Sequence, residues 1–597
     1  MIYLDKKIYS ILSLKRKKQF ILLQVLVILS GITELIFVGS IAPFMAIVTD
    51  PSIINSNFYL NEIYEFLGSS NSNDFIISFG IILLSVLLVL AVFSAFVTYV
   101  LGMFGARVGI EIGDRLYQNY MNKDWKFHMN ANSSNLVNKI SIEANRVTDY
   151  VVHPLLTINS RAVILLFLIV AILITNPIAA IITATSFFVI FLSLFLIVRK
   201  RLDFNGKIIS SAFEKRFKLM SEGFGGIREM ILYQRINRYI SDFLIEGKQI
   251  AISKGENNGL SQVPRYAIEF SAFASVVLLI IFLVKNYNGD LTIVLSTVAV
   301  FALAGFKLLP AAQQIYASLA FIKGHEAALD NIFDDLYVTY DQNEISNEHI
   351  NFEKEIALEN ISFGYPNKKG VNIFDGLNLN IKKNSTIGFT GPSGSGKSTI
   401  ISIICGLLNP LNGKLLIDRQ AINKNNISGW QNKIGYVQQD IFTIDASIAE
   451  NIAFGIPKNE INFERVIEVC KLARVDEFLK DLASGIDTNI GERGASLSGG
   501  QVQRIAIARA LYNDPELIIF DEATSSLDNL SEKQIMSSLN NFSKNKTILI
   551  VAHRLDTLKK CDLILYFEDG NIVESGSYEQ LINSSSNFKK MAESIES

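Results

Sequence analysis

The sequence predicts an α-helical polytopic membrane half joined to an α/β P-loop half within one chain of 597 residues. Three observations carry that expectation. Long apolar stretches crowd the first 320 residues, and short apolar runs alternating with amphipathic segments take over from about Ile356. The run Gly391-Pro-Ser-Gly-Ser-Gly-Lys397-Ser398 then fits the phosphate-binding pattern GxxxxGKS. The expected divisions are a membrane region over 1–320, a linker over 321–350 and a nucleotide-binding region over 351–597. Hydrophobic residues make up 49% of the chain and Phe contributes 40, which is high for a soluble enzyme. The net charge of −2 gives no general attraction to nucleic acid, and none is expected as a partner. Cys405, Cys470 and Cys561 are too scattered for a disulfide framework or a metal spacing, so reduced thiols are expected.

The membrane elements follow in order. Lys6, Lys7, Lys15, Arg16, Lys17 and Lys18 precede an apolar run that is too long, and too poor in small residues at its end, for a cleaved secretory leader. It reads as a first span. A bilayer core needs about 20 apolar residues per helix, and six stretches qualify: 20–48, 75–104, 155–175, 177–198, 264–285 and 291–310. Asp50 to Asp74 has no Lys or Arg, whereas Arg199 to Lys254 has many, which places the latter and the N-terminus on the cytoplasmic side. Outer turns are short and inner connections long.

Ionisable residues at membrane depth are costly and normally meet a partner or a wet cavity. Glu34, Arg265, Glu269 and Lys307 are the candidates. Arg265 and Glu269 are four apart on one helical face and are able to pair with each other, as Glu34 is with Lys307. The alternative is a basic belt, Arg265 and Lys307 with Glu34 nearby, that receives an anionic headgroup.

In the second half, Ile387 to Thr399 reads as strand, Gly-rich loop and helix start. Gly391, Gly394 and Gly396 let backbone N–H groups curl around phosphates. Ser393, Ser395 and Thr399 belong to the same cradle, Lys397 reaches the outer phosphates and the Ser398 hydroxyl meets Mg²⁺. ATP and Mg²⁺ are the expected cofactors. Leu517 to Phe520 is an apolar strand ending in Asp521 and Glu522. Asp521 is expected to hold Mg²⁺ through water, and Glu522 to act as general base on the attacking water.

Leu497-Ser-Gly-Gly-Gln501 resembles the signature of the ATP-binding cassette superfamily. That resemblance implies that Ser498, Gly499, Gly500 and Gln501 cover the γ-phosphate held by an opposing cassette. Further stretches are similar in the family's order. Tyr365 looks like the aromatic that stacks on adenine, and Gln439 in YVQQD like the loop glutamine that touches Mg²⁺, with adjacent Gln438 as its competitor. Thr488 to Gly494 resembles the exporter-specific loop, Ser525 to Asp528 the dimer-facing loop, and His553 the switch histidine at the γ-phosphate. The pattern of spans resembles the exporter-type membrane domain, which implies coupling helices near His128–Leu136 and Ser221–Glu229, against plain loops as the alternative.

Residues around Glu34, Val263 to Phe270 and Leu295 to Ile315 resemble bacterial flippases for lipid-linked oligosaccharides. The resemblance implies a homodimer in a bacterial plasma membrane, with its cassette in the cytoplasm, moving a polyprenyl-pyrophosphate-linked glycan to the outer leaflet. Arg265 and Lys307 match positions that meet the pyrophosphate. The chain departs from that pattern in offering few further arginines, and an exporter of another amphiphile, a glycolipid, peptide or drug, stands as the alternative.

Overall fold

A computed structural model describes residues 2–49, 51–68, 71–175, 177–286, 291–337, 348–365, 371–522, 545–552, 555–585 and 587–590. The chain divides into two compact units, one of Met1–Lys123 with Phe127–Tyr340, the other of Asp124–Lys126 with Asp341–Ser597.

In the first unit all six expected spans are helical. They lie in Leu14–Thr49, Ser72–Met121, His153–Thr175, Pro177–Gly225, Pro264–Asn286 and Leu291–Tyr337. Several run far beyond a span. At 1.5 Å per residue the 50-residue helix Ser72–Met121 is about 75 Å long, against an apolar core of about 30 Å. Its apolar stretch near residues 75–104 gives way to Arg107, Glu111, Asp114 and Arg115, so the same helix continues into water. Among the described residues, three segments, Leu14–Phe37, Ser72–Met121 and Ser133–Leu173, are long and apolar enough to cross a membrane by composition. The helix Leu291–Tyr337 continues through the start of the segment expected as a linker at 321; residues 338–347 lie outside the described residues.

Ion pairs tie the polar extensions together. Lys7 meets Asp330 at 2.8 Å, Arg16 meets Glu111 at 2.9 Å and Lys139 meets Asp335 at 2.7 Å. Arg146 donates to both oxygens of Glu143 at 3.0 Å and to Ser210 Oγ at 2.7 Å, a buried pair whose hydroxyl partner comes from helix Pro177–Gly225. His325 stacks on Tyr150 at 4.0 Å, and burial drives its pKa down to about 4, so it is neutral there. Both expected coupling segments contain short helices, Trp125–Asn130 with Ser133–Asn138, and Ile227–Leu232 after the long helix ends at Gly225. Between the first two spans, Asn57 caps the small helix Phe58–Phe66 by accepting from the Tyr59 and Leu60 amides. Leu60 packs with Ile47, Ile54 and Phe75, while Phe58, Tyr59 and Phe66 stay exposed.

The second unit holds two sheets. The smaller is antiparallel, in the order β2-β1-β4-β5, with β1 Glu355–Phe363, β2 Phe374–Lys382, β4 Asn412–Ile417 and β5 Gln420–Ala421. The larger runs β10-β9-β3-β8-β7-β6, from β10 Asn571–Gly576 and β9 Leu563–Glu568 through β3 Thr386–Thr390, β8 Thr547–Val551 and β7 Leu517–Asp521 to β6 Ile434–Val437. It is parallel from β9 to β6. Its central strands β7 and β8 are buried at every position because both faces are covered, whereas the edge strand β10 is largely polar and exposed. Successive side chains point to opposite faces, so Leu517 and Ile519 join one core with the helix Lys397–Ile404, and Ile518 and Phe520 another with the helix Gly499–Tyr512. All three cysteines are free and buried in these cores, and burial pushes each thiol up to about 12, as expected of inert packing residues.

Candidate nucleotide site

A parallel sheet presents all its carboxyl ends at one edge, the usual place for a ligand. In the order β3-β8-β7-β6 that edge collects the Gly-rich loop after β3, the carboxylates ending β7 and the glutamines following β6. Residues about 125 apart in sequence, Lys397 and Asp521, thus reach the same edge, although β8, which comes later in the chain, lies between β3 and β7.

The loop is shaped by glycine where nothing else fits. Gly391 has φ +132°, and a Cβ there would lie 2.0 Å from the Phe567 carbonyl oxygen. Gly396 has φ +103°, with the Phe374 ring 2.8 Å from its would-be Cβ. Gly394 is also left-handed, at φ +82°, but open. Gly391→Ala is therefore expected to lose ATP binding and to lower the thermal midpoint, since strained backbone alone costs about 1–3 kcal/mol before the clash is counted. Wild-type ATP affinity in a folded Gly391→Ala protein would contradict this reading of the loop.

Lys397, 6% exposed, turns back over its own loop, donating to the Gly391 and Pro392 carbonyls at 2.9 and 2.8 Å, with Ser395 Oγ at 3.4 Å. Burial lowers its pKa, while Glu522 and Asp521 oppose that shift. A phosphate group would offer the ammonium a stronger, charged acceptor than these carbonyls. Ser393 and Ser398 are exposed at the loop surface, and Thr399 Oγ1 lies 3.2 Å from the Tyr365 hydroxyl, which brings Tyr365 beside the start of the loop helix.

Asp521 is 7% exposed, and burial raises its pKa. Tyr436 donates its hydroxyl to Asp521 Oδ2 at 3.0 Å. Tyr436 was not among the residues expected at the site; the signal was an aromatic hydroxyl in the strand that ends beside β7, legible only once strand order is known. Glu522 has φ +52°, a left-handed conformation that is unfavourable outside glycine and concentrates at functional sites. Gln439 Nε2 donates to Glu522 Oε2 at 2.7 Å, so of the two adjacent glutamines it is Gln439 that reaches the strand tip. The hydroxyl of Ser398, the amide oxygen of Gln439 and the carboxylate of Asp521 are hard oxygen donors, the set that suits Mg²⁺. The glycine cradle and the folded-back lysine likewise suit the phosphates of ATP.

The signature segment lies elsewhere on the unit. Ser498 and Gln501 form a capping box at the start of helix Gly499–Tyr512: Ser498 N donates to Gln501 Oε1 at 2.8 Å, and Gln501 N to Ser498 Oγ at 3.4 Å. Ser498 and Gly499 are exposed and Gly500 half-buried. This helix packs on the opposite sheet face from the loop helix, so the structure does not bring Ser498–Gln501 to the Gly-rich loop of the same chain. Asp528 and His553 lie outside the described residues. The segment Thr488–Gly494 pairs with the capping turn at Ser447: Asn489 bridges Ser447, and Ile448 N donates to Thr488 O at 3.0 Å.

In the membrane unit the four ionisable residues are paired. Arg265 Nε donates to Glu269 Oε1 at 2.6 Å, and Gln313 donates to the same oxygen at 3.1 Å. Lys307 Nζ lies 2.9 Å from Glu34 Oε2, a close ion pair without hydrogen-bond alignment, and 4.2 Å from the Phe37 ring centre. The cavity beside Arg265, about 150 Å³, also involves Gln313 and Gln314, and is smaller than the roughly 300 Å³ at which ligand pockets begin.

A six-helix membrane region of this kind, fused to an α/β cassette with a P-loop and an LSGGQ helix, defines an exporter-type ATP-binding cassette chain. The chain belongs to the ABC transporters. Residues 40–306 match the family model for the ABC transporter transmembrane region, and residues 374–525 match that for the ABC transporter domain. It has the half-transporter arrangement, one membrane region and one cassette. Members of this family are ATPases coupled to transport. The fold is that of a bacterial Atm1-family ABC exporter solved with ATP bound, at a TM-score of 0.76 and 20% identity, covering 97% of this chain and 98% of that one. The chain is 32% identical to ABC transporter B family member 14 of Arabidopsis thaliana over 395 residues, 64% of this chain and 31% of that protein. It is 38% identical to ABC multidrug transporter mdr1 of Aspergillus fumigatus over 239 residues, 40% of this chain and 18% of that one. The matched region thus spans less than a third of these curated relatives.

Proposed function

We propose that two copies of this chain form a homodimer that hydrolyses ATP in two shared sites and uses the work to move an amphiphile from the inner to the outer leaflet. The observation that carries the reading is the separation just described: one sheet edge gathers Lys397, Gln439, Asp521 and Glu522, while an exposed LSGGQ helix start points to a second cassette. ATP, when bound, supplies the transferable phosphoryl group. The loop glycines cradle its phosphates and Lys397 neutralises them. Ser398, Gln439 and Asp521 would hold Mg²⁺. Glu522, kept in place by the Gln439 amide, takes the proton from the attacking water. Tyr365 offers a ring to adenine, and Asp528 and His553 complete the set by resemblance. The domain limits 1–320, 321–350 and 351–597 belong to the same proposal, with the helix to Tyr337 occupying the first part of the middle segment.

The cargo we propose is a polyprenyl-pyrophosphate-linked oligosaccharide in a bacterial plasma membrane, a reading supported by the stretches around Glu34, Val263–Phe270 and Leu295–Ile315. A second reading has equal support. The two sequence relatives named above are eukaryotic and one is a multidrug transporter, which favours a drug-like or other amphiphile, and Arg265 and Lys307 already have carboxylate partners. Reconstituted vesicles separate the two. Under the first reading the pyrophosphate-linked glycan stimulates hydrolysis and drugs do not, and the Arg265→Ala, Lys307→Ala protein loses that stimulation while keeping basal turnover. Charge-assisted hydrogen bonds of roughly 1.5–3 kcal/mol each make the loss of both about two to four powers of ten in apparent affinity. Unchanged translocation of the glycan lipid by this variant would remove the pyrophosphate role. If Arg265 serves only Glu269, the variant expresses poorly and adding Glu269→Gln restores it.

A further inference from the structure

We infer that the membrane unit carries a separate binding site for an acidic phospholipid of the inner leaflet, in a cavity at its cytoplasmic boundary. The cavity encloses about 920 Å³ between the N-terminal helix Ile2–Ile11 and three spanning helices, Leu14–Thr49, Ser72–Met121 and His153–Thr175. That volume is at the upper end of the range for ligand pockets, roughly 300–1,000 Å³. Neither Arg265 nor Lys307 lines it, and the inference stands independently of the proposed cargo.

Its chemistry is graded along one helix. Leu12, Phe20, Phe104, Val108 and Leu156 make the walls apolar. At the mouth stands Lys17, whose Nζ lies 4.9 Å from the Tyr9 ring centre and which forms no ion pair among the described residues. Its neighbour Arg16, by contrast, is committed to Glu111 at 2.9 Å. Two turns further in, about 10 Å along the helix, Gln24 accepts from Asn159 at 2.7 Å through its oxygen. The Gln24 amide nitrogen is buried and has no hydrogen-bond partner. A buried donor without an acceptor is unfavourable, and in a native structure it calls for an occupant that satisfies it.

An acidic phospholipid meets all three requirements in the right order. Its phosphate pairs with Lys17, an ester carbonyl accepts from Gln24, and an acyl chain lies along Phe20, Phe104 and Leu156. The surrounding Lys15 and Lys18 draw such headgroups to this boundary, because the cytoplasmic leaflet is negatively charged. A zwitterionic lipid would bring its own cation beside Lys17 and be disfavoured.

The test uses the full chain in nanodiscs of mixed phosphatidylcholine and phosphatidylglycerol, followed by native mass spectrometry of retained lipid. The expected result is one phosphatidylglycerol per chain, held in at least tenfold preference over phosphatidylcholine. Lys17→Glu should lower that retention at least tenfold. Ala162→Trp, which narrows the cavity from an exposed position on the His153–Thr175 helix, should remove retention of both lipids. Thermal unfolding checks that each variant is folded, and Lys17→Glu, at the mouth and outside the packed core, keeps the test decisive if Ala162→Trp is not. Equal retention of the two lipids, no retention by the unaltered chain, or unchanged retention in the variants would overturn the inference. So would efficient disulfide trapping between Ala162→Cys chains, which would show a second copy seated there instead.

Discussion

A Glu522→Gln protein is expected to bind ATP with near-normal affinity and to hydrolyse it about 10²–10⁴-fold more slowly, the usual contribution of a positioned general base. The substitution keeps the side chain's shape and one acceptor oxygen, so the Gln439 amide at 2.7 Å still has a partner. Lys397, Ser398 and Asp521 are untouched. What disappears is the ability to accept a proton. With hydrolysis blocked and binding intact, nucleotide should hold the two cassettes together, giving a closed dimer detectable by cross-linking. Phosphate release and equilibrium ATP binding, measured on the same preparation, check both halves of the expectation. Turnover within a few-fold of wild type would remove Glu522 from the role.

The second large effect is expected only in mixed dimers. A Lys397→Ala chain loses its own phosphate clamp, and a Ser498→Arg chain blocks the signature it presents to its partner. Combined in one dimer, the two lesions fall in the same shared site and leave the other whole, so about half of the wild-type sites survive. With both changes on one chain, each site of the mixed dimer carries one lesion, and hydrolysis should fall to background. The physical ground is that Ser498 caps a helix packed on the opposite face of the sheet from the Lys397 helix, so neither chain closes a site by itself. Equal inactivity of the two mixed dimers would mean that the sites are not shared in this way or fire only together.

Much of the fold was legible because its causes are local or periodic. Bilayer thickness demands long apolar runs, so all six spans appear as long, mostly apolar stretches, and each proves helical. The Gly-rich loop was legible for a similar reason: Gly391 and Gly396 occupy backbone conformations and contacts that a Cβ would forbid. The Asp521–Glu522 pair stood out as charge at the end of an apolar strand. Helix ends were less readable, and the helix to Tyr337 ran well past the expected limit at 320 because its polar turns are held by contacts from other helices, Lys7 on Asp330 and Lys139 on Asp335.

Alone, the sequence determined the membrane and cassette halves and the presence of a Gly-rich loop and of a carboxylate pair at a strand end, since each depends on residue types at short spacing. Only the tertiary structure decided which residues meet. It brought Tyr436 to Asp521 and Gln439 to Glu522 through a strand order that no local pattern encodes. It paired Arg265 with Glu269 and Lys307 with Glu34. It also left Lys17 and the Gln24 amide facing a common cavity. Such contacts join residues that are tens to hundreds of positions apart, and their energy exists only once packing has brought the helices and strands together.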